Sequence, residues 1–213
     1  MSERIKAIAN FIYPYKRIAD VGCDHGYLIV EAFNKGINFA QAIDNKKGPL
    51  QQAINNLKGY ADRVEFTLAD GIEKLCDDID LIVIAGMGGT MIIDILNAHK
   101  EKLAKVSRLV LQANRNLKDL RKFISNIDYQ ITSETIIYED SIYYEIIVCE
   151  KGVSFYTEDE HTYGPILLKE KSDQFINKWS EIIKRYEDIN TEETLQKALE
   201  IKQALHIEVK DEN

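Results

Sequence analysis

Apolar residues follow two alternating rhythms along this chain. Short, nearly continuous apolar runs stand at 17–22, 38–44, 64–68, 81–85 and 109–113. Between and after them, apolar residues return every three or four positions, as at Tyr27, Leu28, Ile29, Val30, Ala32 and Phe33. The runs predict strands and the spaced stretches predict helices, at 25–35, 48–57, from Met91 to Leu96, and at 117–127. Leu81-Ile-Val-Ile-Ala85 carries no polar residue, the mark of a strand covered on both faces. Pro49 falls in the first turn of its helix, where a missing N–H costs nothing. Ahead of this series, residues 3–12 have helical spacing, with Ser2 as N-cap and Pro14 as the stop. Behind it, 129–138 and 142–149 are separated only by Glu139-Asp140-Ser141, which predicts an antiparallel hairpin.

Alternating strands and helices predict an α/β fold with a doubly wound sheet and right-handed crossovers. A hairpin after the fifth strand makes a seven-stranded, Rossmann-like sheet whose last pair is antiparallel, the order typical of methyltransferases that use S-adenosylmethionine (SAM). The pattern then changes. Residues 154–164 are polar and aromatic and predict a connector. A single long helix is predicted from Pro165 to Tyr186. A capping-box-like start at Asn190-Thr-Glu-Glu193 leads into a second helix through Leu205. The expected division is a catalytic domain over 1–153 and an antiparallel, coiled-coil-like helical hairpin over 154–213, with 208–213 as a frayed tail. The hairpin would serve either as an appendage or dimer contact, or as an arm for substrate.

Composition narrows the classes without choosing among them. Hydrophobic content of 45% and charged content of 29% suit an ordinary soluble domain. No apolar run is long enough for a membrane span, and the first residues lack a secretory segment, so a cytoplasmic location is expected. Cys23, Cys76 and Cys149 are too far apart for a metal-binding pair and odd in number, which argues against a disulfide framework. No metal is expected. Net charge is −8, with 19 basic against 21 acidic residues through 153 and 8 against 14 beyond. That balance speaks against nucleic acid, so an RNA partner would have to be held by local basic groups.

The chemistry-bearing residues sit where strands end. Asp20-Val-Gly-Cys-Asp-His-Gly follows the first strand and is not the dinucleotide fingerprint. Gly22 allows close backbone approach, and Asp20 could accept from a cationic amine. Asp44 and Asn45 follow the second strand; two carboxylate oxygens suit a ribose diol, or cap the next helix. Asp70-Gly71 follow the third and could accept from an adenine amino group, or cap a helix from Ile72. Ala85, Gly86, Met87 and Gly88 follow the fourth. A diphosphate wants N–H groups and no nearby anion, whereas Asp20 and Asp24 suit an ammonium and a sulfonium. The cofactor expected is SAM.

Asp20-Val-Gly-Cys-Asp-His-Gly-Tyr-Leu28, Gly48-Pro49-Leu50, Ile84-Ala-Gly-Met-Gly-Gly89, Leu111-Gln-Ala-Asn114, Tyr144-Glu-Ile-Ile147 and Tyr163-Gly-Pro165 together resemble the bacterial tRNA (adenine-22-N1)-methyltransferase family over nearly the whole chain. Two positions depart from its pattern: Ala113 stands where proline is expected, and Gly26 where alanine is commoner. The resemblance implies methyl transfer from SAM to N1 of an adenine in the D-arm region of tRNA, with the C-terminal helices helping to hold the tRNA. Adenine N1 lies on the pairing edge, so the base must be unpaired or flipped. On that reading Asp24, His25, Tyr27, Gln112 and Asn114 face the reaction. Tyr27 would stack on the base (or sit in the core), Asp24 would meet the developing cation, and Gln112 and Asn114 would read the adenine edge. Lys46, Lys47, Arg115, Lys118, Arg121 and Lys122 are the phosphate candidates, unless they form a solvated face. In the C-terminal helices, Lys171, Lys178, Lys184 and Arg185 form a possible stripe. A monomer or weak homodimer is expected. Rival readings are a SAM-dependent enzyme for another RNA, DNA or a small molecule, and a non-catalytic SAM-sensing module.

Overall fold

A computed structural model of the protein describes residues 2–206. They form two compact units, one through Phe155 and one from Tyr156 onward. No helix among the described residues is long and apolar enough to cross a membrane.

The first unit opens with helix α1 (Glu3–Asn10), then alternates strand and helix: β1 (Arg17–Val21), α2 (Tyr27–Asn34), β2 (Phe39–Asp44), α3 (Lys47–Asn56), β3 (Val64–Leu68), β4 (Leu81–Met87), α4 (Gly89–Ala98), β5 (Arg108–Ala113) and α5 (Leu117–Ser125). It closes with the hairpin β6 (Tyr129–Glu139) and β7 (Ile142–Lys151). The sheet order is β3-β2-β1-β4-β5-β7-β6; β1 to β5 are parallel, and β7 is antiparallel to both β5 and β6. Leu81, Ile82, Val83 and Ile84 are wholly buried, as a strand covered on both faces requires. Chain order reverses between β1 and β4. In an open parallel sheet that point leaves a crevice at the strands' carboxyl ends.

The core fixes the first glycine turn. Ile8 and Ala9 of α1 and Leu28, Ile29 and Ala32 of α2 pack with Ile18 and Val83 of the sheet. Gly26 has φ of +73°, and a Cβ there would lie 2.8 Å from Leu57 Cδ1. At this departure from the family pattern, alanine would need the neighbouring leucine to shift.

Several boundaries differ from expectation for local reasons. Helix α1 stops at Asn10, before Pro14, because the Phe11 and Ile12 N–H groups already close tighter turns on Ile8 and Ala9. No helix follows Asp70; the segment runs in turns to β4, so Asp70 caps nothing. Asp44 does not cap α3 either, whose N-cap is Lys46.

The second unit contains α6 (Glu158–Tyr163), α7 (Pro165–Glu170), α8 (Asp173–Ile189) and α9 (Glu192–Leu205). The expected connector holds α6, started by a capping box between Thr157 and Glu160. The expected single helix from Pro165 is broken. Lys171 turns left-handed (φ +46°), and the Ser172 hydroxyl accepts the Phe175 N–H to restart the helix. Apolar spacing bridges this break in register, which is why periodicity alone missed it. Asn190 closes α8 in a left-handed conformation, and the capping box of α9 is Thr191 with Thr194. α8 and α9 pack together, burying Phe175 and Ile183 on one and Ala198, Ile201 and Leu205 on the other. The tail expected over 208–213 lies outside the described residues.

Candidate active site

A cleft of about 1170 Å³ opens at the carboxyl ends of the parallel strands. Asp20, Gly22, Asp24, His25 and Tyr27 line it from the β1 turn, Asp44 and Asn45 from β2, Asp70 and Gly71 from β3, and Ala85, Gly86 and Met87 from β4. Four separate strand ends thus converge on one space. Gly88 and Asn114 lie beside it, outside the lining.

The first turn is knitted to the second strand. The N–H groups of Gly22 and Cys23 both donate to the Ile43 carbonyl, at 2.8 and 3.0 Å. Asp44 Oδ1 accepts the Lys46 N–H at 2.8 Å, and its Oδ2 the Asp24 N–H at 3.4 Å. Asp44 therefore organises both turns while one edge still faces the cleft. Asp24 takes a left-handed conformation (φ +46°) that turns its side chain outward; Oδ1 stands 3.6 Å from His25 Nε2. His25 and Tyr27 stack with centroids 5.5 Å apart and an interplanar angle of 18°. Tyr27 is 48% exposed, so it is a surface aromatic and not a core one.

Asp20 is 4% exposed, and no hydrogen bond reaches its carboxylate from the described residues. Burial raises its pKa to about 7, and the nearby Asp44 and Asp24 add to the effect. Burial likewise pushes the Cys23 thiol far up, with Asp20 and Asp44 contributing, so Cys23 is no nucleophile. Gly22 (φ +77°) has its missing Cβ aimed at the Met87 methyl group, so the β4 side chain closes on the β1 turn. Asp20, Asp24, Asp44, Asp70, Glu73 and Asp94 face the cleft against Arg4 and Lys46. Such a lining favours a cationic ligand and opposes a diphosphate.

The β4–β5 edge is built from amides. Gln112 is wholly buried. Its Oε1 accepts from Gly86 N at 3.1 Å and Arg4 Nη1 at 3.0 Å, while its Nε2 donates to Asn114 Oδ1 at 3.0 Å. Asn114 Nδ2 donates to the Gly86 carbonyl at 2.9 Å. The expectation that Gln112 reads a base edge is corrected: it is out of solvent and committed to its neighbours. Asn114 is exposed, and its backbone N–H is held by the Met87 carbonyl at 2.8 Å. That bond secures the turn at the position where Ala113 replaces the expected proline.

Arg121 is also corrected. It is wholly buried, with Nε 2.8 Å from Glu134 Oε1 and Nη2 2.5 Å from Glu145 Oε2, so it cannot meet a phosphate. It lies on the inner face of α5 between Leu120 and Ile124, a placement its sequence spacing allows but does not reveal. Lys46, Lys47, Arg115 and Lys118 are exposed and Lys122 is partly so. In the second unit, Lys171 Nζ is spent on the Leu205 carbonyl at 2.6 Å. Arg4 was absent from the sequence expectations. Its only sequence signal is a place on the polar side of α1, and long-range packing brings it to the cleft.

Known proteins resemble this chain in both sequence and fold. The family model described as tRNA (adenine(22)-N(1))-methyltransferase matches residues 18–212. The tRNA (adenine(22)-N(1))-methyltransferase of Bacillus subtilis is 32% identical, covering 94% of this chain and 92% of its own. The crystal structure of Streptococcus pneumoniae Sp1610 in complex with S-adenosyl-L-methionine superposes with a TM-score of 0.90 at 34% identity, over 97% of this chain and 100% of that one. A Mycoplasma capricolum relative in complex with S-adenosyl-homocysteine gives 0.79 at 28% identity, over 97% and 95%. The chain belongs to the tRNA (adenine(22)-N(1))-methyltransferase family.

Proposed function

We propose that the protein transfers a methyl group from SAM to N1 of adenine 22 in tRNA, giving 1-methyladenosine. The observation that carries this reading is the acid-lined cleft at the β1–β4 switch point, in a chain of this family. The donor set fits SAM. Asp20 is a buried carboxylate without a hydrogen-bond donor of its own, suited to an ammonium, and Gly22 leaves room for close backbone approach. Asp44 and Asn45 take the ribose diol, Asp70 and Gly71 the adenine, and the backbone from Ala85 to Gly88 forms the floor. SAM, when bound, supplies an electrophilic methyl group on a sulfonium.

The chain's own residues then have two tasks. They must hold the target base in line with that methyl group, and they must favour the positive charge that moves onto the ring. Adenine N1 carries a free lone pair, so no general base is needed. Tyr27 stacks on the flipped base and Asp24 faces the developing cation, with His25 steadying both. Asn114 presents its amide to the base edge, and Gln112 supports it from behind. Lys46, Lys47, Arg115, Lys118 and Lys122 take tRNA phosphates. The unit over 1–153 performs catalysis, and the helices over 154–213 help hold the tRNA. The enzyme acts in the cytoplasm as a monomer or weak homodimer.

The test is a nucleoside digest of unmodified tRNA after incubation with protein and SAM. 1-Methyladenosine should appear, and a transcript with guanine at position 22 should yield none. Intact SAM binding without incorporation into any tRNA would sink the substrate assignment.

A further inference from the structure

Arg4 is the cleft-lining residue with the least obvious purpose. It sits on α1, which also contributes Ile5 and Ile8 to the cleft wall. The start of this helix is anchored to the tip of the β6–β7 hairpin: the Ser2 hydroxyl and the Glu3 N–H both donate to the Glu139 carboxylate at 2.6 Å. The guanidinium lies over the Tyr144 ring, 4.7 Å from its centroid. Its Nε is buried without a partner, and no carboxylate comes within ion-pair distance among the described residues. Its one directed side-chain hydrogen bond among the described residues, to Gln112 Oε1, therefore carries the information.

That bond joins a chain of amides. Arg4 and the Gly86 N–H are donor-only groups, and both point at Gln112 Oε1. Gln112 must therefore turn Nε2 toward Asn114. Asn114 must then give Oδ1 to Gln112 and Nδ2 to the Gly86 carbonyl. The Gly86 peptide, at φ +79°, is clamped at both its N–H and its carbonyl. Each bond in such a series polarises the next, and an ionised donor at one end strengthens it.

We propose that Arg4 is a positioning residue of the methyl-transfer site: its guanidinium, braced on Tyr144 and the Glu139-anchored start of α1, locks the Gln112–Asn114 amides onto the Gly86 peptide and so fixes the edge on which the target base is held. The inference rests on the tRNA reading above. It gives Arg4 its role through Gln112, with no contact to tRNA phosphate required.

The test compares wild type, Arg4→Ala, Arg4→Lys, Asn114→Ala and the Arg4→Ala/Asn114→Ala double variant. It measures kcat, the KM for tRNA, SAM affinity by calorimetry, and melting temperature. Arg4→Ala should lower kcat about 10- to 100-fold, as a small misplacement of a reacting group does, while SAM affinity changes less than threefold or so. Arg4→Lys, which keeps a donor but loses the planar stack, should recover part of the rate. If Arg4 acts through Asn114, the double variant should be no slower than the worse single one. Should Arg4→Ala fail to fold, Arg4→Met keeps the stem and replaces it in the same cycle. Unchanged kcat, or losses that simply multiply in the double variant, would overturn the assignment. A wild type that binds SAM but methylates no tRNA would instead overturn the functional reading on which it rests.

Discussion

The carboxyl end of β1 and the joint between α5 and the β6–β7 hairpin both hide charge from water, and they do so in opposite ways. At the joint, Arg121 is buried with Glu134 and Glu145, each within 2.8 Å. Burial alone would lower the Arg121 pKa, but the two carboxylates outweigh it and hold the guanidinium charged. At β1, Asp20 is buried almost as deeply, but its closest charged company is acidic and its pKa rises to about 7. The first arrangement is closed: Nε and Nη2 of the guanidinium each meet a carboxylate, and the group ties a helix to a hairpin. The second is open, a carboxylate held away from water with no cation of its own. A buried charge with partners is architecture; one without them awaits a ligand.

The largest effect should come from breaking the closed arrangement. Arg121→Met leaves two carboxylates buried without their cation and should cost about 3–5 kcal/mol in chemical denaturation. SAM affinity of the folded variant should stay near that of wild type. A stability loss below about 1 kcal/mol would mean that the triad is already solvated and that the contrast with Asp20 is false.

The open arrangement should respond the other way round. Asp20→Asn removes a buried carboxylate that has no cation, so it should raise the melting temperature at pH 7 while weakening SAM binding about 10- to 100-fold, the range for losing a charge-assisted hydrogen bond. In the ligand-free protein, folded Asp20 holds its proton up to about pH 7, whereas in the unfolded chain it loses it near pH 4. The folded state thus binds the extra proton between those values, and stability falls as pH rises through that window. A cationic ligand selects the ionised form, so SAM affinity should rise with pH up to about 7 and then level off. Calorimetry from pH 5.5 to 8 checks both the slope and its disappearance in Asp20→Asn. An affinity that does not change with pH would remove Asp20 from the ammonium site.

Gly22→Ala should have the smallest effect. Its left-handed conformation costs a non-glycine residue about 1–2 kcal/mol, and the colliding group is the far end of the flexible Met87 side chain. Thermal melts should register that loss, with a modest drop in SAM affinity beside it. A Gly22→Ala variant as stable as wild type would show that the Met87 side chain yields freely and that the turn relaxes out of its left-handed conformation.

Much of this was legible in the sequence, for a common reason. Unbroken apolar runs, spaced apolar faces and the acids at Asp20, Asp44 and Asp70 are one-dimensional signals, because a parallel sheet places each strand end at the same edge. Asp20, Asp44 and Asp70, chosen by that rule, line one cleft, whereas Gly88 does not. The misses are residues whose role depends on the partner's position in space. Arg121 reads as one more basic residue beside Lys118 and Lys122 until the hairpin brings Glu134 and Glu145 to it. Gln112 reads as a base reader until β5 buries it. Arg4 carries only the weak signal of a place on the polar side of α1, and core packing of that helix with the anchoring of Glu3 on Glu139, 136 residues away, delivers it to the cleft. The sequence by itself determined the order of strands and helices in the first unit, the glycine turn and the acidic character of the site, because these follow from residue spacing and backbone freedom. Which charges face a ligand and which are spent on one another was decided only by the tertiary structure, because burial and pairing are set by neighbours distant in the chain.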